Sequence, residues 1–306
     1  MTVNTDKIAV SAPDKAPHRY WLGLAMVAAA AIAFSQITMF SKLAYIGGST
    51  PVTLVWLRFA AFVLLIGLFL LARGQSFRLP LRVMRGTAVL ALGMFLMSVG
   101  YLSSVAYIEV SLAVVLLYSF PLMVGLLSAL AGRERITPVK ALCLVLAFAG
   151  LVWVIGPGFE KMDWRGIALA LGAAFGVAIT VTWGSSYLEG MNPLVVNVWA
   201  NIWMLAVMSV YVFGFDALIP PATGQGWIGL LSATGSYILG IVTLFAAMRW
   251  VTPAQTAVTL NIEPIFSIAA AVLILNETIT ISQAFGVAIM LIAIVFSALW
   301  GAMSKS

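Results

Sequence analysis

Two charged side chains, Glu263 and Arg58, lie within long apolar stretches of the sequence. An ionised group inside a membrane is costly, so such groups usually face a cavity, a partner or a proton path. Glu263 has the chemistry to bind a proton or a substrate amine; the alternatives are a structural ion pair and a polar contact to a helix broken at Pro264. Arg58 has the donors to hold a carboxylate or a phosphate in bidentate geometry. Its alternatives are snorkelling to the interface and pairing with Glu263 or a backbone carbonyl.

Polar and aromatic side chains recur inside the apolar stretches and are candidates for lining a path through the membrane. Asn197 and Asn201 are four residues apart and therefore share one face of a helix. Polar groups in this position bind a ligand, or they hold neighbouring helices together by hydrogen bonds. The candidate residues for substrate binding or coupling are Glu263, Arg58, Tyr101, Tyr118, Trp183, Asn197, Asn201 and Tyr237.

Three further residues are candidates for gating or bending. Pro121 and Pro264 interrupt helical hydrogen bonding and are expected hinge points. Lys42 is expected at the outer end of the first helix, as a gate or an interfacial anchor. Glu134 and Glu277 close their spans shortly before a new helix, and we expect them to cap that helix rather than to gate the pathway.

The chain lacks the residue sets that common enzyme sites need. Its only histidine, His18, precedes the first apolar stretch, so no histidine-based metal site or triad is expected within the membrane. No Walker motif is present in the sequence. Cys143 is the only cysteine and cannot form an intramolecular disulfide. We therefore predict no catalytic residue, no metal and no cofactor, and a protein that is not an enzyme.

The elements that must position these residues are membrane-spanning helices. Of the 306 residues, 63% are hydrophobic and only 8% are charged, which suits lipid as the surrounding solvent. The apolar runs are continuous and about 20 residues long, as bilayer-crossing helices require, and they lack the alternation of a barrel. Residues 1–19 are polar and are expected to form a disordered cytoplasmic tail. The ten predicted spans are Tyr20–Phe40, Val52–Ala72, Arg85–Ala106, Ser111–Leu130, Pro138–Gly156, Arg165–Tyr187, Leu194–Phe215, Gly226–Met248, Ala254–Leu275 and Ile281–Gly301.

The distribution of Lys and Arg predicts the orientation of the chain. Most of the 16 basic residues flank spans on the side of the amino terminus, whereas Lys42, Lys161 and Arg165 lie on the other side. Because basic loops stay in the cytoplasm, both termini are expected there, in a bacterial inner membrane. This bias accounts for the net charge of +6, so nucleic acid is not an expected partner.

The sequence matches itself, without gaps, at a constant offset of 143 residues. Matches of Trp, Pro and Glu at one offset are hard to obtain by chance, so we predict two copies of a five-helix unit, residues 20–156 and 164–301. An odd number of crossings inserts the second copy upside down. Inverted repeats of this kind recur in secondary transporters, although some channels share them. The matched pairs include Trp21 with Trp164, Gly23 with Gly166, Trp56 with Trp199, Gly86 with Gly229, Pro121 with Pro264 and Glu134 with Glu277.

Short motifs follow one another in a fixed order along the chain: Lys42 after the first helix, Arg58-Phe59 in the second, Ser-Phe-Pro-Leu at 119–122, Glu-Pro-Ile-Phe at 263–266, and the closing Glu134 and Glu277. In order and spacing these motifs resemble the drug/metabolite transporter (DMT) superfamily, in its ten-helix branch of paired EamA-type domains. The resemblance covers the chain from the first span to the tenth. The chain departs from the family pattern in two ways. Arg133 and Asn276 stand where the family usually has Gly, and the second copy lacks the Lys and Arg-Phe motifs.

The resemblance implies a carrier for amino acids, vitamins, nucleosides or similar metabolites, often an exporter. It also implies a central cavity surrounded by the first four helices of each copy, with the fifth and tenth at the periphery. We therefore predict an all-α membrane protein that acts as a secondary transporter, or permease, and exports small organic metabolites by alternating access through that cavity. The alternatives are an importer of a vitamin or nucleoside-like metabolite and a non-transporting receptor or assembly subunit. The expected partners are the metabolite, protons and membrane lipid, and a homodimer is left open.

Overall fold

The computed structural model describes residues 17–104, 107–108, 110–132, 136–155, 163–187, 191–215, 217–266, 269 and 280–303. Residues 1–16 of the expected tail and the two closing glutamates, Glu134 and Glu277, lie outside these described residues. The described chain consists of helices joined by short connections. The helices are α1 (Pro17–Ile46), α2 (Pro51–Ala72), α3 (Leu81–Ser104), α4 (Val110–Leu117), α5 (Phe120–Leu130), α6 (Pro138–Ile155), α7 (Trp164–Tyr187), α8 (Pro193–Gly214), α9 (Gly224–Ala247), α10 (Pro253–Leu260) and α11 (Ile281–Met303).

The helices match the spans expected from the sequence. In the described part of the chain, seven helical stretches are long and apolar enough to cross a membrane, and α6 and α11 contain the shorter apolar stretches Pro138–Trp153 and Ala284–Trp300. The fourth span is divided between α4 and α5, and the ninth begins with α10 and continues as helix over residues 262–266. The chain is thus an all-α membrane protein with ten transmembrane helices in two inverted five-helix repeats.

Polar residues just outside the apolar stretches fix where several spans begin. Thr50, Asn192 and Thr252 each accept a hydrogen bond from a backbone N–H of the first turn that follows, which satisfies a donor that the helix leaves free. Each of these caps precedes a proline, whose fixed φ suits the first helical position. Asp163 caps α7 in the same way, accepting from the backbone N–H of Arg165 at 2.9 Å. The hydrogen bond from the Arg165 side chain holds the pKa of Asp163 below its usual range.

The first helix is longer than the sequence predicted. α1 begins at Pro17, so the last three residues assigned to the tail, 17–19, are helical. It ends at Ile46, so Lys42, expected after the helix, lies inside it with an exposed side chain. A helix satisfies its own backbone hydrogen bonds in water as well as in lipid, so it can extend beyond the apolar stretch that crosses the membrane.

The fourth and ninth spans are broken at equivalent positions. α4 ends at Leu117 and α10 ends at Leu260, in each case four residues before a proline, Pro121 or Pro264. A proline has no N–H to donate to the carbonyl four residues earlier, and its ring clashes with that carbonyl. In the first gap, Ser119 Oγ donates to the carbonyl three residues earlier at 2.6 Å. The two breaks therefore follow from the prolines that the repeat duplicates.

The helices pack in pairs that the repeat relates to each other. The offset makes α7 the equivalent of α1 and α9 the equivalent of α3. In the structure α1 packs on α9 and α3 packs on α7. Each of these two contacts is therefore the equivalent of the other under the repeat. It also packs α2 on α8 and α6 on α11, each helix against its own equivalent. This is the arrangement expected for inverted repeats about a pseudo-two-fold axis in the membrane plane.

Glycines allow the closest of these contacts. Where α3 crosses α7, a Cβ added to Gly93 would lie 2.7 Å from Gly176 O. In the equivalent contact of α1 with α9, a Cβ added to Gly229 would lie 2.7 Å from Phe40 O. Both distances are shorter than van der Waals contact with a backbone atom, so a larger residue would push the helices apart. In lipid, helices associate largely through such close backbone packing.

Candidate functional site

Arg58 lies on α2 where this helix meets α3 and α9. Its Nη2 donates to Ser98 Oγ at 3.1 Å, and its Cζ lies 4.8 Å from the ring centroid of Tyr237 and 5.1 Å from that of Phe59. Such cation–π contacts stabilise a guanidinium that is removed from water. The Nε atom is buried and has no hydrogen-bond partner. The pairing with Glu263 that the sequence left open is not formed in the described structure.

Tyr237, one of the two rings in contact with Arg58, is the first residue of a buried chain of hydrogen bonds. Tyr237 Oη donates to Asn201 Oδ1 at 3.1 Å. Asn201 Nδ2 donates in turn to Asn197 Oδ1 at 2.9 Å and to Asn197 O at 2.8 Å. Both asparagines are fully buried, and their contact places them on one face of α8. Because the offset pairs Arg58 with Asn201, a cation of the first copy is matched by a neutral amide in the second.

A second polar group joins the two broken spans. Tyr118 lies in the gap between α4 and α5, and its hydroxyl lies near the carboxyl group of Glu263. In the equivalent gap of the ninth span, Asn261 Nδ2 donates to Ala257 O at 3.0 Å, and its Oδ1 is buried without a partner. The two breaks thus place a carboxyl group and a phenol together inside the membrane.

The two polar groups are neighbours within the bundle. Tyr45 lies within electrostatic range of Arg58, and Tyr101 lies within electrostatic range of both Tyr45 and Glu263. Arg58, Ser98, Tyr101 and Glu263 are half-buried and keep part of their surface accessible. The hydrogen-bond chain behind the Tyr237 ring is closed to water. Each of these four side chains, on α2, α3 and the ninth span, therefore offers some accessible polar surface.

The remaining candidates from the sequence have other positions. Trp183 on α7 is half-buried and packs against the main apolar core. Lys42 points to the exterior near the end of α1. Pro121 and Pro264 lie in the broken spans, within three residues of Tyr118 and Glu263. Among the described residues, no three His, Cys, Asp or Glu side chains are grouped closely enough to hold a metal ion.

At the end of the bundle where α1 begins, the connection between α2 and α3 lies against α8. Trp199 Nε1 donates to Phe77 O at 2.9 Å. Asn192 Nδ2 donates to Gln75 Oε1 at 3.2 Å. We call these four residues the Trp199 closure.

At the opposite end, the connection between α8 and α9 lies against the start of α2. Ile219 N donates to Thr53 Oγ1 at 2.8 Å, and Ser49 Oγ donates to Ile219 O at 3.0 Å. The backbone N–H of Ala222 donates to Gly47 O at 2.8 Å. We call these five residues the Thr53 closure.

The internal repeat relates the two closures. The offset pairs Ser49 with Asn192, and it maps the connection 74–80 onto 217–223. Neither closure was predicted from the sequence, because polar residues at the ends of spans look like ordinary loop residues. The available signal was the offset itself, which pairs Ser49 with Asn192 and one connection with the other.

A family model built from related sequences matches this chain twice. The model of the EamA-like transporter family matches residues 21–156 and residues 164–299, two segments that begin 143 residues apart. The chain belongs to the EamA-like transporter family. As an EamA-like protein it is a multi-pass membrane transporter, and its substrate is a small molecule.

Individual relatives agree with this membership. An uncharacterized transporter of Archaeoglobus fulgidus is 30% identical over 217 residues, which cover 67% of this chain and 75% of that protein. The uncharacterized transporter YoaV of Bacillus subtilis is 24% identical over 201 residues, covering 62% of this chain and 68% of that protein. A solved crystal structure superposes with a TM-score of 0.77 at 18% identity, covering 93% of this chain and 99% of the other. The EamA-like chain therefore shares the fold of that structure.

Proposed function

We propose that this EamA-like protein is a secondary transporter that exports small organic metabolites, such as amino acids, by alternating access. It lies in a bacterial inner membrane with both termini in the cytoplasm. This orientation puts the Trp199 closure on the cytoplasmic side and the Thr53 closure on the outer side. The pair of closures, made by equivalent elements of two inverted repeats, is the observation that carries the proposal. Export is supported by the resemblance to the drug/metabolite transporter superfamily.

The two closures are equivalent and lie on opposite faces, which supports two equivalent states, one open to each side of the membrane. When the copies exchange conformations, one closure opens while the other is held shut. Each closure consists of a few hydrogen bonds between connections and helix ends, so it can open while the glycine-lined helix pairs stay packed. A hydrogen bond of this type contributes only about 1 kcal/mol net. A solute that binds one state more tightly therefore supplies enough free energy to shift the balance.

In this proposal the solute passes the accessible polar surface between the two closures. Glu263 exchanges a proton with the path, close to the Tyr118 hydroxyl. The breaks before Pro121 and Pro264 allow the two parts of each broken span to change their relative angle. Membrane-embedded carboxyl groups serve as proton relays in many transporters, which supports coupling to a proton gradient.

Cross-linking each closure separately tests the proposal. Cys143 is the only cysteine, so a Cys143→Ala chain provides a background without other thiols. In that background, Gln75→Cys with Asn192→Cys addresses one closure, and Ser49→Cys with Ile219→Cys addresses the other. A short bifunctional methanethiosulfonate links each pair. Efflux of a panel of radiolabelled amino acids from reconstituted vesicles is then measured before and after linking.

Either link is expected to abolish efflux, and a reducing agent is expected to restore it. The control pair, Leu81→Cys with Arg85→Cys, occupies exposed positions four residues apart on α3, and linking it should leave efflux unchanged. Efflux that continues with one closure linked contradicts alternation at these closures. If the unlinked protein exports none of these amino acids, the proposed substrate class is wrong. An uncoupler that collapses efflux identifies the proton gradient as the source of energy.

A further inference from the structure

The charge of Arg58 is not balanced within the described part of the chain. The carboxylates there are Asp163 and Glu263. Asp163 forms an ion pair with Arg165 at 2.8 Å, and Glu263, which lies near the Tyr118 hydroxyl, does not pair with Arg58. The hydrogen bond that Arg58 donates goes to a neutral hydroxyl on α3. A buried guanidinium without a counterion is unfavourable, and a matching anion relieves that cost.

The guanidinium also has donors that are not used. It carries five N–H groups in a planar fork; Nη2 donates to Ser98, whereas Nε is buried without a partner. The two terminal Nη groups carry further N–H donors beyond the one given to Ser98, and together they match the two oxygens of one carboxylate. The side chain is half-buried, so part of it faces accessible space. The rings of Tyr237 and Phe59 hold the fork in one orientation before any ligand arrives, which lowers the cost of binding.

The site carries a single positive charge. Arg58 is the only Lys or Arg well inside a predicted span, and the equivalent residue in the second copy is the neutral Asn201. A phosphate monoester, with nearly two negative charges at neutral pH, would bring more charge than one guanidinium balances. A carboxylate brings one charge and suits the planar fork.

We infer that the transported solute carries a carboxylate and that Arg58 binds this group inside the membrane. Ser98 and Tyr237 act as positioning residues for the guanidinium. The inference rests on the proposed transport function and names the substrate class of the same path: small organic monocarboxylates, amino acids among them.

Matched pairs of an acid and its amide test the inference. The probes are L-leucine, L-phenylalanine and 3-phenylpropionate, each with its amide, measured by thermal shift on purified protein and by efflux from vesicles. The acid of at least one pair is expected to bind about tenfold more tightly than its amide, as for a charge-assisted bidentate contact. Arg58→Gln is expected to remove this preference, and Arg58→Lys, which keeps the charge but not the fork, to retain part of it. The control Arg73→Gln, at the exposed end of the same helix, should leave the preference unchanged.

Amides that bind and are carried as well as their acids by the wild-type protein would overturn the inference and leave the transport function standing. If neither acids nor amides bind or are carried, and the panel of amino acids shows no efflux either, the transport function falls as well. The acid preference is measured on the wild-type chain, so the test does not depend on whether Arg58→Gln folds. Ser98→Ala is a milder second variant, expected to weaken acid binding severalfold and to leave amide binding unchanged; equal losses for acids and amides would contradict its positioning role.

Discussion

Gly176 lies at a close crossing of α7 and α3, and the same helix provides a matched control. A Cβ added to Gly176 would press against Gly93 O and would lie 2.7 Å from Met97 N. A Cβ added to Gly172, four residues earlier on α7, would meet nothing within 4 Å. Replacing each glycine by alanine therefore separates the effect of close packing from the general effect of alanine in a helix.

Two opposing contributions set the expected change in stability. Alanine in place of glycine stabilises a helix interior by about 1 kcal/mol. At Gly172 this contribution acts alone. At Gly176 the new methyl group meets backbone atoms that cannot turn aside, so α3 and α7 must separate by roughly 1 Å. Overpacking of this kind costs about 1 to 3 kcal/mol, and Gly176→Ala should be less stable than Gly172→Ala by about that amount.

The single buried thiol provides the assay. Cys143 is 1% exposed, so a maleimide dye that fluoresces on reaction labels it only as the chain unfolds. Heating the wild-type protein and the two variants in detergent with this dye gives three Tm values. Gly172→Ala is expected to match or exceed the wild type, and Gly176→Ala to unfold at a lower temperature than Gly172→Ala. Equal Tm values for the two variants would refute the packing argument, because both substitutions change the helix propensity equally.

Three further changes test other parts of the structure. Glu263→Gln is expected to abolish the response of vesicle efflux to an imposed proton gradient, because an amide does not exchange a proton with the path; Tyr118→Phe should keep the response and slow efflux. Asn201→Ala leaves the buried hydroxyl of Tyr237 without its acceptor and is expected to lower stability by about 1 to 3 kcal/mol in the thiol assay. Thr252→Ala removes the capping box of α10 and is expected to cost about 1 kcal/mol in the same assay, whereas Thr252→Ser should retain most of the stability. A full gradient response in Glu263→Gln, or an unchanged Tm in either alanine variant, contradicts the role assigned to that residue.

The number of helices and their inverted duplication could be predicted because both depend on patterns within one chain. Apolar length predicts a span, and a constant offset predicts a repeat. The breaks after Leu117 and Leu260 follow from the chemistry of Pro121 and Pro264 alone. The length of α1 could not be predicted, because the polar residues around Lys42 are as compatible with a helix in water as with a loop.

The contacts between the candidate residues could not be predicted in the same way. The offset pairs Tyr118 with Asn261, so nothing in the repeat points to its proximity to Glu263. That proximity depends on how the two broken spans approach each other about the pseudo-two-fold axis. Arg58 was compatible with several partners, and its contact with Tyr237 depends on which face of α9 turns towards α2. Sequence patterns specify helices and their faces, whereas contacts between distant helices depend on the packing of the whole bundle.

The breaks in the fourth and ninth spans bear on how transport depends on temperature. Within a continuous helix, a bend in lipid would separate an N–H from its carbonyl with no water to replace either partner, at a cost of several kcal/mol. The carbonyls of Leu117 and Leu260 receive no helical hydrogen bond from four residues later, because Pro121 and Pro264 have no N–H. Bending there breaks fewer backbone hydrogen bonds than bending a continuous helix, so more of the activation enthalpy comes from the repacking of side chains. The turnover rate of the native chain should therefore rise gently on warming, and a chain with alanine at both prolines should show a steeper Arrhenius slope.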